Sequence, residues 1–559
     1  MAPLIIGRLT YLFGLFDILS NVIRPFHATS QRLEKYAPVF INSTAFATSV
    51  FTGIVLIIIA RSLIRRKKRA RNIAISLLAI NFFSDLLRFH QHPGQLITSA
   101  TLLIALIIWR KEFFAISDSS TRLAPLIGFL YALAVAFLSG IFIIYFRHGN
   151  QLASGSSFKD VFLTVFEGLL GITGPAKFSS DRISDSVGIT LGALGLFTLI
   201  VPLWLFFRRV APQPKETPEE VELIKSLIKH DSDQDSLGYF ATRGDKSVIW
   251  SNNKKAGIAY RVQNGVMLAS GDPFGEYSLW PEAINNFLAE AKLHAWTPAV
   301  MGASDLGGEV WVEHAGMLAI DIGDEAIINV KEFTLEGRPM ANVRQMVNRV
   351  KRKGYSTWSK RWSELSSDQQ NEFRELSKKW RYGVAERGFS MSMDRFGGAE
   401  DRECFVTAAE LEGKIKGFLY FVPWGNDRIS LDRMMREKNI DPGVTELLIV
   451  ETAEFAKGHD ITHISLNFAA FRSLFERAEK ISAGPIVRST RNTIRFFSNW
   501  FQVESLYRFN AKFQPEWRTR YVLYPKAKDL VSVAWAALRA EKFIGGFGRP
   551  DKKARNSRY

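Results

Sequence analysis

Apolar segments of roughly bilayer length within the first 210 residues constrain this chain's fold more than any other sequence feature. The bilayer core needs about 20 consecutive apolar residues in a helix, and 96–109 reaches that length only with its neighbours. A further candidate, 4–23, contains Arg8 and Asp17 and lacks the small-residue cleavage site of a removable signal peptide. The sequence therefore predicts a transmembrane region of five or six helices over 1–210. The clear segments are 37–64, 72–89, 96–109, 123–146 and 187–207.

Basic residues between these segments predict their orientation. Lys and Arg crowd 65–71, and further pairs lie at 110–111 and 208–209. Positively charged loops stay on the cytoplasmic side of a membrane. With 4–23 counted, both termini and the whole chain after Arg209 are expected in the cytosol. Segment 158–174 lies in an outer loop and is too short to cross, so it is either a re-entrant segment or an interfacial helix.

The second part of the chain has the pattern of a soluble α/β protein. A polar, proline-rich linker at 211–220 precedes it. Short β-like runs then alternate with helical patterns, such as the strand 266–270 and the helix 341–353. We predict a first mixed unit at 221–384, a second at 385–528, and a helix with a basic tail at 529–559.

Charge and cysteine content limit the partners and cofactors. The chain has 72 Lys+Arg against 55 Asp+Glu, a formal net charge of +17, which favours nucleic acid or an anionic membrane as partner. Its one cysteine, Cys404, rules out an internal disulfide. The acidic run 231–235 opens like a calcium loop, but Ser236 replaces the required glycine. No phosphate-binding or dinucleotide-binding glycine motif is present, so we expect neither a metal nor a cofactor.

Two basic stretches are candidates for phosphate contact. The helix 341–353 is apolar on one side and basic on the other, and it is either simply solvated there or binds tRNA or lipid headgroups. Its candidate residues, with one just upstream, are Arg338, Arg344, Arg349 and Arg352. Near the C-terminus, 504–521 interleaves cations with aromatic rings, which suits phosphate and base binding. The alternative for that stretch is a strand pair with a solvated edge.

Two strand ends carry polar residues of the kind that α/β folds use for chemistry. The strand 428–432 is predicted to end on a carboxylate, in Ser430-Leu-Asp432, with Gly443-Val-Thr-Glu446 following. The second is Ser465-Leu-Asn-Phe-Ala469. Either could also be an ordinary strand terminus.

These motifs, followed by Ser505-Leu-Tyr-Arg-Phe-Asn-Ala-Lys-Phe513, resemble in order the C-terminal domain of the multiple peptide resistance factors. That family comprises phosphatidylglycerol lysyltransferases and alanyltransferases. The resemblance extends over roughly 220–525. Motifs of the first unit agree with it: Gly271-Asp-Pro273, Gly323-Asp-Glu-Ala326, Phe333-Thr-Leu-Glu-Gly-Arg338 and Val343-Arg-Gln-Met-Val-Asn348.

The resemblance implies a tandem acetyltransferase-like (GNAT) fold in the cytosol, tethered to a multi-pass region in a bacterial cell membrane. It implies an aminoacyl-tRNA donor and phosphatidylglycerol as the acceptor lipid. The transfer would lower the negative charge of the membrane and confer resistance to cationic peptides. Lysyl is favoured over alanyl by the family's best-known activity alone. A homo-oligomer stays open, because the sequence does not specify the oligomeric state.

The resemblance also implies roles for single residues. Asp432 matches the family's strand-end aspartate and would assist deprotonation of the lipid hydroxyl or hold the ammonium of the amino acid. Lys512 matches the lysine of the family's last motif and, with Arg508, would bind phosphate or stabilise the oxyanion. The family's arginine three residues after the aspartate is Met435 here, so Arg433 or Arg436 would replace it. The orienting or substrate-binding residues would be Ser430, Glu446, Asn467 and Asn510.

Two alternatives remain at this stage. One is a transferase of the same fold with another acceptor, such as diacylglycerol, or with an acyl-CoA donor. The other is a lipid flippase or scaffold without catalytic activity.

Overall fold

The computed structural model describes residues 2–22, 53, 55–64, 66–87, 93–115, 124–147, 152, 156–172, 174–207, 217–230, 235–381, 388–468 and 506–542. The chain forms two compact units. One contains Met1–Val210 with Leu293–Ala295, and the other contains Ala211–Lys292 with Trp296–Tyr559.

The first unit is helical throughout its described elements. Small side chains allow close packing in places: a Cβ on Gly168 would lie 2.5 Å from Leu191 Cδ1. The helices are α1 (Ala2–Val22), α2 (Val55–Ile64), α3 (Lys68–Leu87), α4 (Pro93–Ile108), α5 (Ala124–Phe142), α6 (Phe158–Leu169) and α7 (Asp181–Phe207).

Among the described residues, one helix, Ile127–Phe146, is long and apolar enough to cross a membrane. It continues α5 through a π-helical turn and matches the predicted segment 123–146. Shorter apolar helices coincide with parts of other predicted segments, and 37–52 lies outside the described residues. The predicted bundle of five or six spans therefore stays a prediction. Helix α6 begins at a capping box formed by Ser157 and Asp160, which fits either alternative for 158–174.

The second unit is built on one sheet of twelve strands. They are β1 (Ser247–Trp250), β2 (Ala256–Gln263), β3 (Val266–Ser270), β4 (Phe274–Gly275), β5 (Thr297–Ala303), β6 (Leu318–Asn329), β7 (Ser356–Arg361), β8 (Phe405–Leu411), β9 (Lys414–Trp424), β10 (Arg428–Arg436), β11 (His463–Phe468) and β12 (Glu516–Tyr524). The helices are α8 (Pro218–His230), α9 (Trp280–Leu293), α10 (Asp305–Ala315), α11 (Ala341–Arg352), α12 (Ser367–Lys379), α13 (Val444–Lys457) and α14 (Leu530–Ala540).

The strand order joins distant parts of the sequence. It runs β1-β2-β3-β5-β12-β6-β11-β10-β9-β8-β7, with β4 on β2. Strand β12 comes from the C-terminal part of the chain, yet it lies between β5 and β6. Strand β7 is an edge strand that pairs only with β8 within this sheet. The predicted division into units at 221–384 and 385–528 stays a prediction, because both stretches contribute to the same continuous sheet.

Alternating side chains of β9 define the two faces of the sheet near the candidate site. Phe418 and Tyr420 pack into a core with Trp362, Phe373 and Phe389, which we call the Phe418 face. The intervening residues pack into a second core with helices α11 and α13, which we call the Phe421 face. The second core includes Leu419, Phe421, Val347, Leu447 and Phe513.

Two local predictions are wrong. Strand β10 does not end at Asp432 but continues to Arg436, because residues 433–436 go on pairing with residues 417–420 of β9. The stretch 504–521 is not a strand pair: its described part is helical at 506–510, has a 3-10 turn at Ala511–Phe513, and contributes the single strand β12. The sequence pattern also predicts a helix over 471–480, which lies outside the described residues.

Candidate functional site

The candidate site lies where the parallel strands β10 and β11 separate. They pair from Arg428 with His463 to Ser430 with Ser465, and no further pair follows. Asn467 occupies the opening with φ 65°, a left-handed conformation that asparagine tolerates better than most residues. Its side-chain Nδ2 donates to the carbonyl oxygens of Leu431 (3.0 Å) and Met391 (2.8 Å). Asn467 therefore bridges the separating strands and holds a loop beside them.

Asp432 is the extra residue of a bulge in β10, between Leu431 and Arg433. Its side chain is fully buried on the Phe418 face. The carboxylate accepts a hydrogen bond from the Met393 N–H (2.8 Å) and one from Arg433 Nε (3.2 Å). Burial raises the pKa of Asp432, and the neighbouring Arg433 only partly offsets this. A carboxyl group in such a position is suited to exchanging a proton.

Arg433 and Arg436, the two candidates for the family's arginine, have different surroundings. Arg433 is buried, contacts Asp432, and donates to the carbonyl oxygens of Met393 (3.2 Å) and Arg395 (2.7 Å). Its guanidinium also lies over the Phe396 ring, 5.1 Å from the centroid. Arg436 is exposed at the end of β10, where it pairs with Gly417. The structure therefore places Arg433, and not Arg436, at the Asp432 carboxylate.

Sequence reasoning missed the loop 388–398, which covers this carboxylate. Glu541 accepts hydrogen bonds from the Phe389 N–H (2.7 Å), the Ser390 N–H (3.0 Å) and the Ser390 hydroxyl (2.6 Å). From the other side Arg243, which is 1% exposed, donates to the Ser392 carbonyl. The loop has no hydrophobic periodicity, so its sequence gave no signal beyond the glycine at 388, where φ is 110°.

Lys512 and Glu446 form a second group, on the Phe421 face. Lys512 Nζ lies 2.8 Å from Glu446 Oε1 and 5.1 Å from the centroid of the Phe509 ring. The Lys512 side chain is 36% exposed and that of Glu446 is 9% exposed. Among the described residues, the buried Asn510 Oδ1 has no hydrogen-bond partner. Arg508, two residues earlier in the chain, is exposed.

The predicted catalytic residues are thus divided between the two faces of the sheet. Asp432 contacts Met393, a member of the Phe418 core, whereas Lys512 contacts Glu446 on α13, which packs on the Phe421 face. Ser430 lies beside Ser465 in the ladder, and its buried hydroxyl has no partner within the described part of the chain. A direct contact between Asp432 and Lys512 is absent from the described structure.

The basic residues of α11 are mostly exposed. Arg349 and Arg352 lie on the outer side of the helix, and Arg338 is exposed just before it. Arg344 instead donates to the carbonyl oxygens of Leu335 and Gly337, so it fixes the preceding loop. The exposed three remain candidates for phosphate contact.

A buried ionic cluster at the centre of the sheet was also missed. Arg520, which is 3% exposed, lies 2.6 Å from Asp235 and pairs with Glu325. Glu325 also accepts hydrogen bonds from Ser236 and Ser465. The Gly323-Asp-Glu-Ala326 motif, cited for the resemblance, was the available signal for this carboxylate.

Asp272, in the Gly271-Asp-Pro273 motif, belongs to the same cluster. Its two carboxylate oxygens accept hydrogen bonds from the Ser304 N–H (2.8 Å) and the Ser304 hydroxyl, at the start of α10. Burial and the nearby Asp235 raise the pKa of Asp272 to about 7, although Arg520 opposes them. Among the described residues, no group of three or more His, Cys, Asp or Glu could hold a metal ion.

Comparison with known proteins gives a consistent picture. The family model for the C-terminal part of phosphatidylglycerol lysyltransferase matches residues 225–524. The lysylphosphatidylglycerol biosynthesis bifunctional protein LysX of Rhodococcus jostii (strain RHA1) is 41% identical over 65% of this chain and 33% of its own length. LysX of Rhodococcus opacus (strain B4) is 34% identical over 97% of this chain and 48% of its own length.

The chain therefore spans between a third and a half of the length of these two relatives. A solved structure of L-PGS from Bacillus licheniformis covers 60% of this chain and 98% of that chain. It is 22% identical, with a TM-score of 0.50. At this identity the likeness supports the fold alone.

Proposed function

The chain belongs to the family defined by the C-terminal part of phosphatidylglycerol lysyltransferase, and we propose that it is an aminoacyltransferase that acts on phosphatidylglycerol. The donor would be an aminoacyl-tRNA, and lysyl is favoured over alanyl. The names of the LysX relatives, which refer to lysylphosphatidylglycerol biosynthesis, support the acceptor and the amino acid. The net charge of +17 suits two substrates that both carry phosphate.

The observation that carries the proposal is the buried Asp432 at the separation of β10 and β11. The aminoacyl ester is already activated, so catalysis needs mainly positioning and proton transfer. The glycerol hydroxyl would attack the ester carbonyl while Asp432 takes the hydroxyl proton. The bond to the ribose oxygen then breaks, and the proton passes to that oxygen. Because burial raises the pKa of Asp432, its carboxylate is a stronger base than an exposed aspartate.

We assign phosphate binding to the Phe421 face. The Lys512 ammonium is partly exposed, so it can donate a hydrogen bond to a phosphate while it keeps its ion pair with the largely buried Glu446. No buried charge is then left unpaired. Arg508 and the exposed arginines around α11 would extend this surface toward the tRNA or the lipid headgroup. Lys512 would thus bind substrate rather than stabilise the oxyanion beside Asp432.

The proposal extends to location and physiology. The apolar helices of the first unit would hold the enzyme in a bacterial cell membrane, with the second unit in the cytosol beside its lipid substrate. Attaching a cationic amino acid to an anionic lipid reduces the negative surface potential of the membrane. A weaker potential attracts cationic peptides less, which would give the cell resistance to them.

The test is mass spectrometry of lipids from cells that express the full chain, its Asp432→Asn variant, or its Glu437→Gln variant. Glu437 follows β10 directly, is partly exposed and pairs with Lys416 (2.9 Å), so it is a matched carboxylate outside the site. We expect an aminoacylated phosphatidylglycerol with the intact chain and with Glu437→Gln, but at least 100-fold less with Asp432→Asn, since general-base catalysis contributes ~10²–10⁴-fold.

Isolated membranes then identify the donor. Ribonuclease should stop lipid labelling if the donor is an aminoacyl-tRNA and leave it unchanged if the donor is an acyl-CoA. If the label appears on diacylglycerol and not on phosphatidylglycerol, the acceptor is diacylglycerol. No new lipid from correctly folded protein in the membrane would reject the transferase in favour of a lipid flippase or scaffold.

A further inference from the structure

Helix α14 exposes two of its large apolar side chains. The side packed on the sheet has the fully buried Val533, Ala536, Ala537 and Ala540, with Leu530 and Leu538 partly buried against the same core. Val531 is 76% exposed and Trp535 is 47% exposed. Being four residues apart, they form one stripe along the helix. Burial against the protein therefore does not explain why positions 531 and 535 carry apolar side chains.

Cations surround the same stripe. Lys526 and Lys528 are exposed just before α14, and Arg539 and Lys542 are exposed at its end. Of the two acidic residues in 526–542, Glu541 is buried against loop 388–398 and Asp529 is only partly exposed, so the four exposed cations outnumber the acidic groups at the surface. A tryptophan with a small apolar stripe and flanking Lys and Arg is typical of helices that lie at a lipid–water interface.

Helix α10 provides a contrast within the same unit. It also exposes apolar side chains, Leu306 (37%) and Val312 (43%). Beside them, however, lie the exposed carboxylates of Glu309 and Glu313. An anionic lipid surface would repel that side of α10, whereas it would attract the surroundings of Trp535.

We propose that the α14 stripe, Val531 and Trp535 with Lys528, Arg539 and Lys542, binds the surface of a bilayer that contains anionic lipid. Val531 and Trp535 enter the headgroup region, and the three cations contact lipid phosphates. Glu541, directly after α14, holds the loop that lies on Asp432. Glu541 therefore joins the lipid-binding helix to the candidate site, together with Arg261, which donates to the Ala540 carbonyl oxygen (2.8 Å) and lies over the Phe389 ring. The proposal goes beyond the transfer reaction and does not depend on it.

The test measures how deeply position 531 enters the lipid. A nitroxide is attached to Val531→Cys in the full chain, reconstituted in vesicles of phosphatidylcholine alone or with an equal amount of phosphatidylglycerol. The native Cys404 is fully buried, so the reagent reacts with the introduced thiol. Glu313→Cys, exposed on α10 beside Glu309, is the matched control position.

With phosphatidylglycerol present, we expect the label at 531 to collide more with oxygen than with a water-soluble nickel complex. The label at 313 should remain in water in both vesicles. Adding Trp535→Glu should return the label at 531 to water, and Lys528→Gln should lower its lipid-exposed fraction about fivefold. The control Ser532→Ala, off the stripe and without a change of charge, should change it little.

Other results would overturn the proposal. A label at 531 that stays in water with phosphatidylglycerol present excludes a lipid contact. Spin–spin coupling between labels, in detergent as well as in vesicles, would show that a second copy covers the stripe. Protection that appears only after tRNA is added would assign the stripe to the nucleic acid instead.

Discussion

Replacing Arg520 by methionine tests the buried ionic cluster directly. The guanidinium lies 2.6 Å from Asp235, pairs with Glu325, and donates to Ser236 Oγ (2.8 Å) and to the Gly302 carbonyl oxygen (3.2 Å). The Glu325 side chain is fully buried, and that of Asp235 is 4% exposed. Arg520→Met keeps most of the side-chain volume but leaves both carboxylates without their cation.

The expected loss is roughly 3–5 kcal/mol, the usual cost of removing one partner of a buried ion pair. That is a large part of the ~5–15 kcal/mol by which a typical domain is stable. In the wild type, Arg520 is the main group that keeps the pKa of Glu325 below its ordinary value despite burial. Without Arg520, burial raises the pKa of Glu325, and protonation would neutralise this carboxylate, so the deficit relative to the wild type should shrink as the pH falls from 7 toward 4.

The assay is hydrogen exchange by mass spectrometry on the full chain in detergent at increasing urea, read on peptides of β6 and β12. Arg518→Met is the control, because Arg518 is 48% exposed and 3.7 Å from an equally exposed Glu516. It should change the stability by less than about 0.5 kcal/mol. A loss below about 1 kcal/mol for Arg520→Met, or a deficit that does not shrink in acid, would refute the reasoning.

Two further predictions concern the same region. Because the pKa of Asp272 is raised to about 7 in the folded state, against ~3.9 in the unfolded chain, the native state retains a proton between these values. The free energy of unfolding of the wild type should therefore fall by up to roughly 4 kcal/mol as the pH rises from about 4 to about 7. Asp272→Asn should flatten this dependence when unfolding is measured as a function of pH. Gly307→Ala should destabilise the fold by ~1–3 kcal/mol in thermal unfolding, because the added Cβ would lie 2.0 Å from Asp272 Oδ1. Gly308→Ala should be neutral or stabilising, because the nearest neighbour of its Cβ would be 3.9 Å away. Equal effects of the two substitutions would contradict the packing argument.

Local sequence patterns predicted the regular elements that have a clear period. Strand β3 has the predicted bounds, and α11 differs from its prediction by one residue, because its apolar positions follow the helical repeat. Helix α10 was missed because Gly307 and Gly308 lower its helix propensity. Contact with Asp272 leaves no room for a side chain at 307, so tertiary packing requires glycine there despite its low helix propensity.

The arrangement of the site could be predicted only in part. Asp432 was identified through the resemblance, but its partners Met393 and Arg433 and its place in a bulge were not. The insertion of β12 between β5 and β6 brings Arg520 to Glu325 across 195 residues of sequence. No local periodicity of the sequence indicates a pairing between residues so far apart in the chain. The sequence also gave no sign that Lys512 and Asp432 lie on different faces of the sheet.

Loop 388–398 explains why the site is assembled from such distant residues. An irregular loop in a buried position must find hydrogen-bond partners for its backbone. Here they come from side chains spread along the unit: Arg243, Asp432, Asn467 and Glu541. Asp432 is both the proposed base and the acceptor for the Met393 N–H, so a movement of the loop changes the position and the pKa of the base together. A substitution at Asp432 removes the base and a loop contact together, whereas one at Glu541 alters the loop but retains the Asp432 carboxyl group, so the two variants separate the loss of the base from its displacement.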